Sequence, residues 1–392
     1  MKSILFVCHK MNIGGTEKAL LSILKSLDEK SVKVTLLLLE KEGVLEFDIP
    51  DFVSIKYLQH YDKMKQIIQN STHVTLFNFI KSFQLLASLH YLLTYFKIKI
   101  SGDWYHNYRF ALKNTPQFGM YDIAVAFAGP SDFISYFVVN KITAKKKVQW
   151  NHFDVNKLIP NPNFGGKFYP YFDQIFSVSE NAKRSFDKMF PFSKDKSFVF
   201  HNIISNREIE TKAETGEGFV DLFLGLRIVT LGRLSKEKGQ QMIPNVVKRL
   251  KKEGLNFRWY LIGDGKLLVN LEQQISTLGI EEHLILLGSH INPYPFLKNC
   301  DLYVQTSLHE GYCITLKEAQ VFNKPIVTTN FLSASNLVTH NEDGLIVDIS
   351  EEGIFDGVKL LLENLDLRNK FSKSIHNDAN HGKYFEQLLQ LK

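Results

Sequence analysis

Residues 4–8, Ile-Leu-Phe-Val-Cys, are apolar without a break, and residues 32–39, Val-Lys-Val-Thr-Leu-Leu-Leu-Leu, are nearly so. Runs this short are strand-length, and a strand with one wet face would alternate polar and apolar residues. Unbroken apolar strands belong in a parallel sheet covered on both faces, which needs a crossover between each pair. The sequence supplies one. The turn Asn12-Ile13-Gly14-Gly15-Thr16 leads into Ala19, Leu20, Ile23, Leu24 and Leu27 at helical spacing. Further strands read at 123–127, 147–150 and 174–178, so the first half is built of right-handed strand–helix–strand units.

The scheme restarts in the second half. Strands read at 227–231, 258–262, 284–287, 302–305, 325–328 and 344–347, with helices at 240–252, 313–321 and 354–365. Between the halves, residues 206–218 (NREIETKAETGEG) are charged and show no apolar period, so they read as the inter-domain linker. The expectation is two α/β domains, 1–205 and 206–370, with a helix over 371–392 packing back on the first. A chain of 392 residues suits two cores of this size. In open parallel sheets ligands bind beyond the carboxyl ends of the strands, so the loops there are the ones to read for chemistry.

Composition narrows the classes. Hydrophobic residues make up 44% and charged residues 22%, a globular balance. The net charge of +6 suits phosphorylated ligands or an anionic surface, and no zinc-knuckle or RNP-like motif supports a nucleic-acid partner. Cys8, Cys300 and Cys313, odd in number and far apart, predict a reducing compartment and no metal cluster. The N-terminal apolar run is shorter than a signal-peptide core, and no stretch is long enough to span a bilayer, so a cytoplasmic location is expected.

Five loops carry candidate chemistry. In Ser307-Leu308-His309-Glu310-Gly311-Tyr312-Cys313-Ile314-Thr315-Leu316-Lys317-Glu318 two glutamates lie eight positions apart across a strand-to-helix turn. Gly311 permits close approach of a ligand, and the N–H groups of Tyr312, Cys313 and Ile314 at the helix start favour an anion. The alternative is a solvated helix start with two unrelated surface glutamates. In Gly232-Arg233-Leu234-Ser235-Lys236-Glu237-Lys238-Gly239 a strand is followed by a basic turn; Arg can grip a phosphate bidentately and Lys adds a point charge, and the alternative is an ordinary exposed basic turn. Gly14-Gly15 would let the backbone approach a phosphate or sugar, and equally fits a plain tight turn. In Trp150-Asn151-His152-Phe153-Asp154 and His201-Asn202, polar residues follow strand-like segments at the level where ligands bind.

Together these pieces resemble the retaining glycosyltransferases of family 4. They comprise Gly14-Gly15 with Glu17, the His152 loop, Phe176-Ser177-Val178-Ser179-Glu180, Asn202, Gly232-Arg233 with Lys238-Gly239, Gly263-Asp264-Gly265, and Glu310/Glu318. The resemblance spans nearly the whole chain and implies the GT-B architecture: two doubly wound Rossmann-like domains facing an interdomain cleft, the first binding the acceptor and the second the nucleotide-sugar. It implies that Arg233 and Lys238 hold the donor diphosphate, Glu310 contacts the transferred sugar and Glu318 binds ribose. The backbone from Tyr312 to Thr315 would cap the distal phosphate, and Gly14 and Gly15 would approach the donor from the other domain. Gly263 and the loop Ser289, His290 and Ile291 would line the donor side, while His152 and Asn202 would serve the acceptor side. Cys313 stands where the family has glycine, which implies a narrower sugar pocket. The resemblance also implies a same-face substitution needing neither metal nor cofactor, a UDP-sugar as donor, and a cell-surface polysaccharide, teichoic-acid-type polymer or lipid-linked acceptor. The competing reading is a non-catalytic partner subunit of an active glycosyltransferase.

Residues 78–113 mix aromatic and aliphatic residues with Lys81, Lys97, Lys99, Arg109 and Lys113 against a single acid, Asp103. That composition fits an anionic membrane surface, which would make the protein peripheral on the inner face of the cell membrane. It equally fits a helix whose apolar residues join the core.

Overall fold

The computed structural model describes residues 1–41, 43–82, 85–129, 132–152, 155 and 162–375, without the side chains at 128 and 129. The expected helix over 371–392 therefore lies, beyond Ile375, outside the described residues, as do Phe153 and Asp154 of the His152 loop.

Two compact units meet in sequence at His201 and Asn202. The first holds a seven-stranded sheet of β1 (Lys2–Cys8), β2 (Val32–Leu38), β3 (Ser54–Tyr57), β4 (Phe118–Gly129), β5 (Ile142–Asn151), β6 (Gln174–Ser177) and β7 (Ser197–Val199), in the order β3-β2-β1-β4-β5-β6-β7. Every pairing is parallel; Val7 lies beside Leu37 on one side and Ala126 on the other. The unbroken apolar run of β1 is explained by its place: Ile4, Phe6 and Val7 have no exposed surface, each contributing about 1.5–3 kcal/mol of burial. The helices of this unit are α1 (Gly15–Ser26), α2 (Tyr61–Gln69), α3 (Thr72–Lys81), α4 (Leu85–Ser101), α5 (Tyr105–Ala111), α6 (Asp132–Lys141), α7 (Pro162–Phe168) and α8 (Glu180–Met189).

The second unit holds a six-stranded parallel sheet of β8 (Leu226–Leu231), β9 (Phe257–Ile262), β10 (Leu284–Gly288), β11 (Leu302–Gln305), β12 (Ile326–Thr329) and β13 (Gly344–Val347), ordered β10-β9-β8-β11-β12-β13. Its helices are α9 (Asn206–Thr215), α10 (Ile243–Lys252), α11 (Leu268–Leu278), α12 (Tyr294–Asn299), α13 (Ile314–Val321), α14 (Glu351–Glu363) and α15 (Leu365–Ser374). Trp259, fully buried in β9, anchors the core and spends its indole N–H on Thr230 Oγ1 at 2.9 Å, which in turn donates to the Val304 carbonyl at 2.7 Å. In both sheets the order reverses beside the first strand of the unit, giving the open doubly wound arrangement that alternating strands and helices predict.

The linker reading of 206–218 is corrected by α9. Ser205 accepts a hydrogen bond from the Glu208 amide, Glu208 pairs with Lys212 at 3.1 Å, and Ile209 and Ala213 are buried one turn apart. A single apolar pair, one turn apart, is too little for a period to show in sequence, but it suffices for one face of a short helix.

Candidate functional site

In the second unit the post-strand loops are stitched together by backbone hydrogen bonds. The Gly232 amide donates to Ile262 O at 3.0 Å, the Gly263 amide to Gly288 O at 2.8 Å, and the Leu234 amide to Asp264 O at 2.9 Å. The carboxyl ends of β8, β9 and β10 thus form one rim. Gly263 is required there: its φ is +148° and a Cβ would lie 2.0 Å from Gly232 O.

The basic turn is held against the other candidate loop. Gly239, at φ +72°, lets the chain pass within a Cβ distance of 1.9 Å from Thr306 O, and Thr306 Oγ1 donates to Lys238 O at 2.9 Å. Leu308 N donates to Glu237 O at 2.8 Å. The result is a short ion pair between Lys238 Nζ and Glu310 Oε1 at 2.5 Å, with the two side chains 21% and 12% exposed. Glu310 Oε1 also accepts from Ser307 Oγ at 2.7 Å, Ser307 accepts from Gln305 Nε2 at 2.7 Å, and Gln305 Oε1 accepts from Tyr303 OH at 2.6 Å and Thr315 Oγ1 at 3.0 Å. Glu310 is therefore neither loose nor a surface glutamate. Its carboxylate ends a buried polar chain running back along β11 to the start of α13. Burial works against the charge on Lys238, Glu310 works for it, and the net shift in its pKa is upward.

Arg233 is exposed, and its side chain makes no hydrogen bond or ion pair among the described residues. Its backbone is fixed, because Gln240 Nε2 donates to Arg233 O at 2.9 Å. A guanidinium on an anchored backbone, one turn from Lys238, is free to meet an anion. Helix α13 begins at Ile314 after Cys313, with no side-chain cap on its first amides, so the helix start keeps its preference for an anion. Cys313 is 1% exposed and its Sγ lies 3.2 Å from Thr315 Oγ1, beneath the helix start. Burial, with Glu310 adding to it, pushes its thiol up to about 12.

Glu318 also makes a contact towards α12: it is 2% exposed and its Oε1 accepts from Tyr294 OH at 3.0 Å. The picture of two unrelated solvated glutamates is corrected for both residues: each is held by named partners. Of the loop 289–291, Ser289 and Ile291 are exposed, while His290 packs edge-on against Phe296 at 4.8 Å. His290 lines a cavity of about 630 Å³ with Phe219, Asp221, Tyr260, Asn292 and Phe296; neither Lys238 nor Glu310 lines it.

In the first unit, Gly14 caps α1 with an extended backbone, and a Cβ there would meet Glu17 Oε2 at 2.3 Å. Gly15 opens the helix. His152 is 6% exposed, stacked parallel to Trp150 and 4.5 Å from Phe127 between ring centres. Burial drives its pKa down to about 3, against a hydrogen bond to the Phe127 backbone, so the ring is neutral. Its Nε2 has no partner among the described residues. Asn202, 7% exposed, likewise keeps Oδ1 without a partner among the described residues.

The structure thus brings Lys238, Glu310, Thr315 and the Gly311–Ile314 turn together, with Gly232, Arg233 and Gly263 on the adjoining rim. Gln305, Ser307, Gln240 and Tyr294 were not singled out by sequence. The signal available for the first two was a strand ending Gln305-Thr306-Ser307, three polar residues where an apolar strand should simply stop.

Residues 226–378 match the family model of glycosyl transferases group 1. Among characterised proteins, the chain is 28% identical over 244 residues to an enzyme of Campylobacter jejuni, N-acetylgalactosamine-N,N'-diacetylbacillosaminyl-diphospho-undecaprenol 4-alpha-N-acetylgalactosaminyltransferase. The match covers 62% of this chain and 64% of that one, less than two thirds of the relative's length. Among solved structures, Anabaena HepE in complex with UDP-glucose superposes over 100% of both chains with a TM-score of 0.71 at 16% identity. A variant of S. aureus TarM with fondaparinux, alpha-GlcNAc-glycerol and UDP superposes over 100% of this chain and 99% of its own, with a TM-score of 0.70 at 13% identity. At such identities the likeness is one of fold.

Proposed function

We propose, from the match of residues 226–378 to the glycosyl transferases group 1 model, that the chain is a retaining, metal-independent glycosyltransferase moving a hexose from a UDP-sugar to a glycan or lipid-linked acceptor. The observation that carries this reading is the short Lys238–Glu310 pair at the end of the Gln305–Ser307 chain, beside the uncapped start of α13. The names of the Campylobacter enzyme, acting on a diphospho-undecaprenol acceptor, and of the UDP complexes of HepE and TarM support it.

The chemistry follows from charge. As the bond between the anomeric carbon and the diphosphate breaks, negative charge grows on the leaving oxygen. Lys238 and Arg233 would hold the diphosphate, with the amides from Tyr312 to Thr315 at its distal phosphate. Cations fixed before the reaction are worth more as that charge develops than in the ground state, which is the condition for catalysis. The same two cations would do the work of a metal ion. Glu310, already oriented by Ser307, would take the hydroxyls of the transferred sugar, and Glu318, oriented by Tyr294, those of ribose. The leaving phosphate would accept the acceptor's proton on the face it departs from, which retains configuration. His152, neutral at working pH, would act by hydrogen bonding and not by charge.

The test is nucleotide release and transfer across a panel of nucleotide-sugars. Lys238→Ala and Glu310→Gln each lose about 10²–10³-fold in kcat, the usual cost of removing one such electrostatic partner. Wild-type rates persist with EDTA. Mutants at wild-type rates would overturn the site, rates abolished by EDTA would overturn metal independence, and a wild-type chain that releases nucleotide from no donor would favour the non-catalytic subunit.

A further inference from the structure

Helices α3 and α4 turn mixed sides inward, with Leu76, Phe79, Ala87, Leu92, Tyr95 and Ile98 half-buried beside a few polar residues. The buried positions of α4 are Ser88, Tyr91 and Thr94, and the buried position of α3 is Thr75. Tyr91 fixes this orientation: its hydroxyl donates to Asn107 Oδ1 at 2.7 Å and its ring packs on Phe79 and Phe110. On the opposite side Leu85, Leu86, Leu89, Leu93, Phe96 and Ile100 are exposed, Leu86 and Ile100 at 86%. At about 100° per residue these six positions fall within an arc of roughly 100°, a single stripe along the helix. Val74, Phe77 and Ile80 are exposed on α3. The hydrophobic effect in water alone would select the reverse orientation. The alternative that these residues join the core is therefore corrected for the stripe: the described residues leave it uncovered.

Charge indicates what would cover it. By the same helical spacing Lys97 and Lys99 stand on opposite borders of the stripe, where their stems can lie along it and their ammonium groups can reach phosphate. Across residues 72–113 five cations, Lys81, Lys97, Lys99, Arg109 and Lys113, accompany one acid, Asp103. A second copy would set one lysine-bordered face against another, whereas a layer of anionic headgroups complements it. The 17 residues of α4 make about 25 Å of helix, short of a hydrocarbon core of about 30 Å. No helix among the described residues is long and apolar enough to cross a membrane.

We propose that the outer stripe of α4, with the exposed row of α3, docks the first unit on an anionic bilayer, lying in the plane of the interface. This inference does not depend on the donor reading. The full chain is sedimented with vesicles of phosphatidylcholine alone and with vesicles containing about one third phosphatidylglycerol. It binds the anionic vesicles about tenfold or more tightly than the neutral ones, and binding weakens as salt rises. The double variant Leu89→Asp/Leu93→Asp loses about tenfold or more of that binding, with an unchanged circular dichroism spectrum and unchanged nucleotide release, since both positions are exposed and belong to the first unit, whereas Lys238 and Glu310 belong to the second. Lys97→Gln/Lys99→Gln loses the preference for anionic lipid. The proposal is overturned if the wild-type chain stays unbound at low salt, or if the double aspartate variant binds equally. It is also overturned if sedimentation equilibrium shows a dimer that this variant converts to monomer, which would assign the stripe to a second copy.

Discussion

Burial at Lys238 acts against its charge and Glu310 acts for it; the carboxylate prevails and the pKa is raised. The stabilisation from that shift is fully present below the ordinary lysine pKa of about 10.4 and is lost as pH rises through the raised value, so Lys238 keeps its charge throughout the neutral range. His152 runs the other way. Its pKa is depressed to about 3 by burial, so the unfolded chain gains a proton that the folded chain refuses once pH falls below about 6.5. The contribution of His152 to folding stability is unchanged above that pH and is lost progressively as pH falls below it, towards about 3. His152→Phe should remove that part of the acid sensitivity. The difference in denaturation midpoint between neutral and mildly acid buffer shrinks in the variant, and an unchanged difference would show that His152 is not held neutral. At Gly239, φ of +72° and the approach to Thr306 O leave no room for a side chain. Gly239→Ala should cost about 1–3 kcal/mol from backbone strain alone, read as an earlier urea midpoint, and should also weaken donor binding because it moves Lys238.

At the level of elements, legibility followed burial. The strands β1, β2 and β11 could be read because both their faces are covered, so apolar residues run without a break. β3 could not: its four residues alternate between exposed and half-buried at the sheet edge, and Ser-Ile-Lys-Tyr carries little pattern. Helix α9 had a readable signal that periodicity hides, the sequence Ser205-Asn206-Arg207-Glu208, an N-cap serine followed three residues later by glutamate. Ser205→Ala should destabilise the second unit by about 0.5–2 kcal/mol, measured by urea unfolding; no change would mean that the helix start is held by other contacts. The glycine turns and the Glu310 loop could be read because backbone and charge requirements are local. The partners Gln305, Ser307 and Tyr294 could not be assigned, since their roles depend on which strand end or helix lies across from them. For α4 the sequence left core and membrane equally open, because composition does not say which side of a helix faces in; Tyr91 and its bond to Asn107 fix the inward side.

For the molecule as a whole, two parallel sheets of the same winding each carry polar post-strand loops: His152 is buried in the first unit, where Glu40 also pairs with Lys10 and Lys65, and Lys238 pairs with Glu310 in the second. The central claim is that the second unit grips a nucleotide diphosphate between the Arg233–Lys238 turn and the start of α13. A crystal structure of the chain with UDP tests it most directly. The account predicts phosphate oxygens within about 3 Å of Lys238 Nζ and the Arg233 guanidinium, with the distal phosphate on the amides between Tyr312 and Thr315. UDP bound elsewhere, with the Lys238–Glu310 pair intact and Arg233 still in solvent, would contradict it.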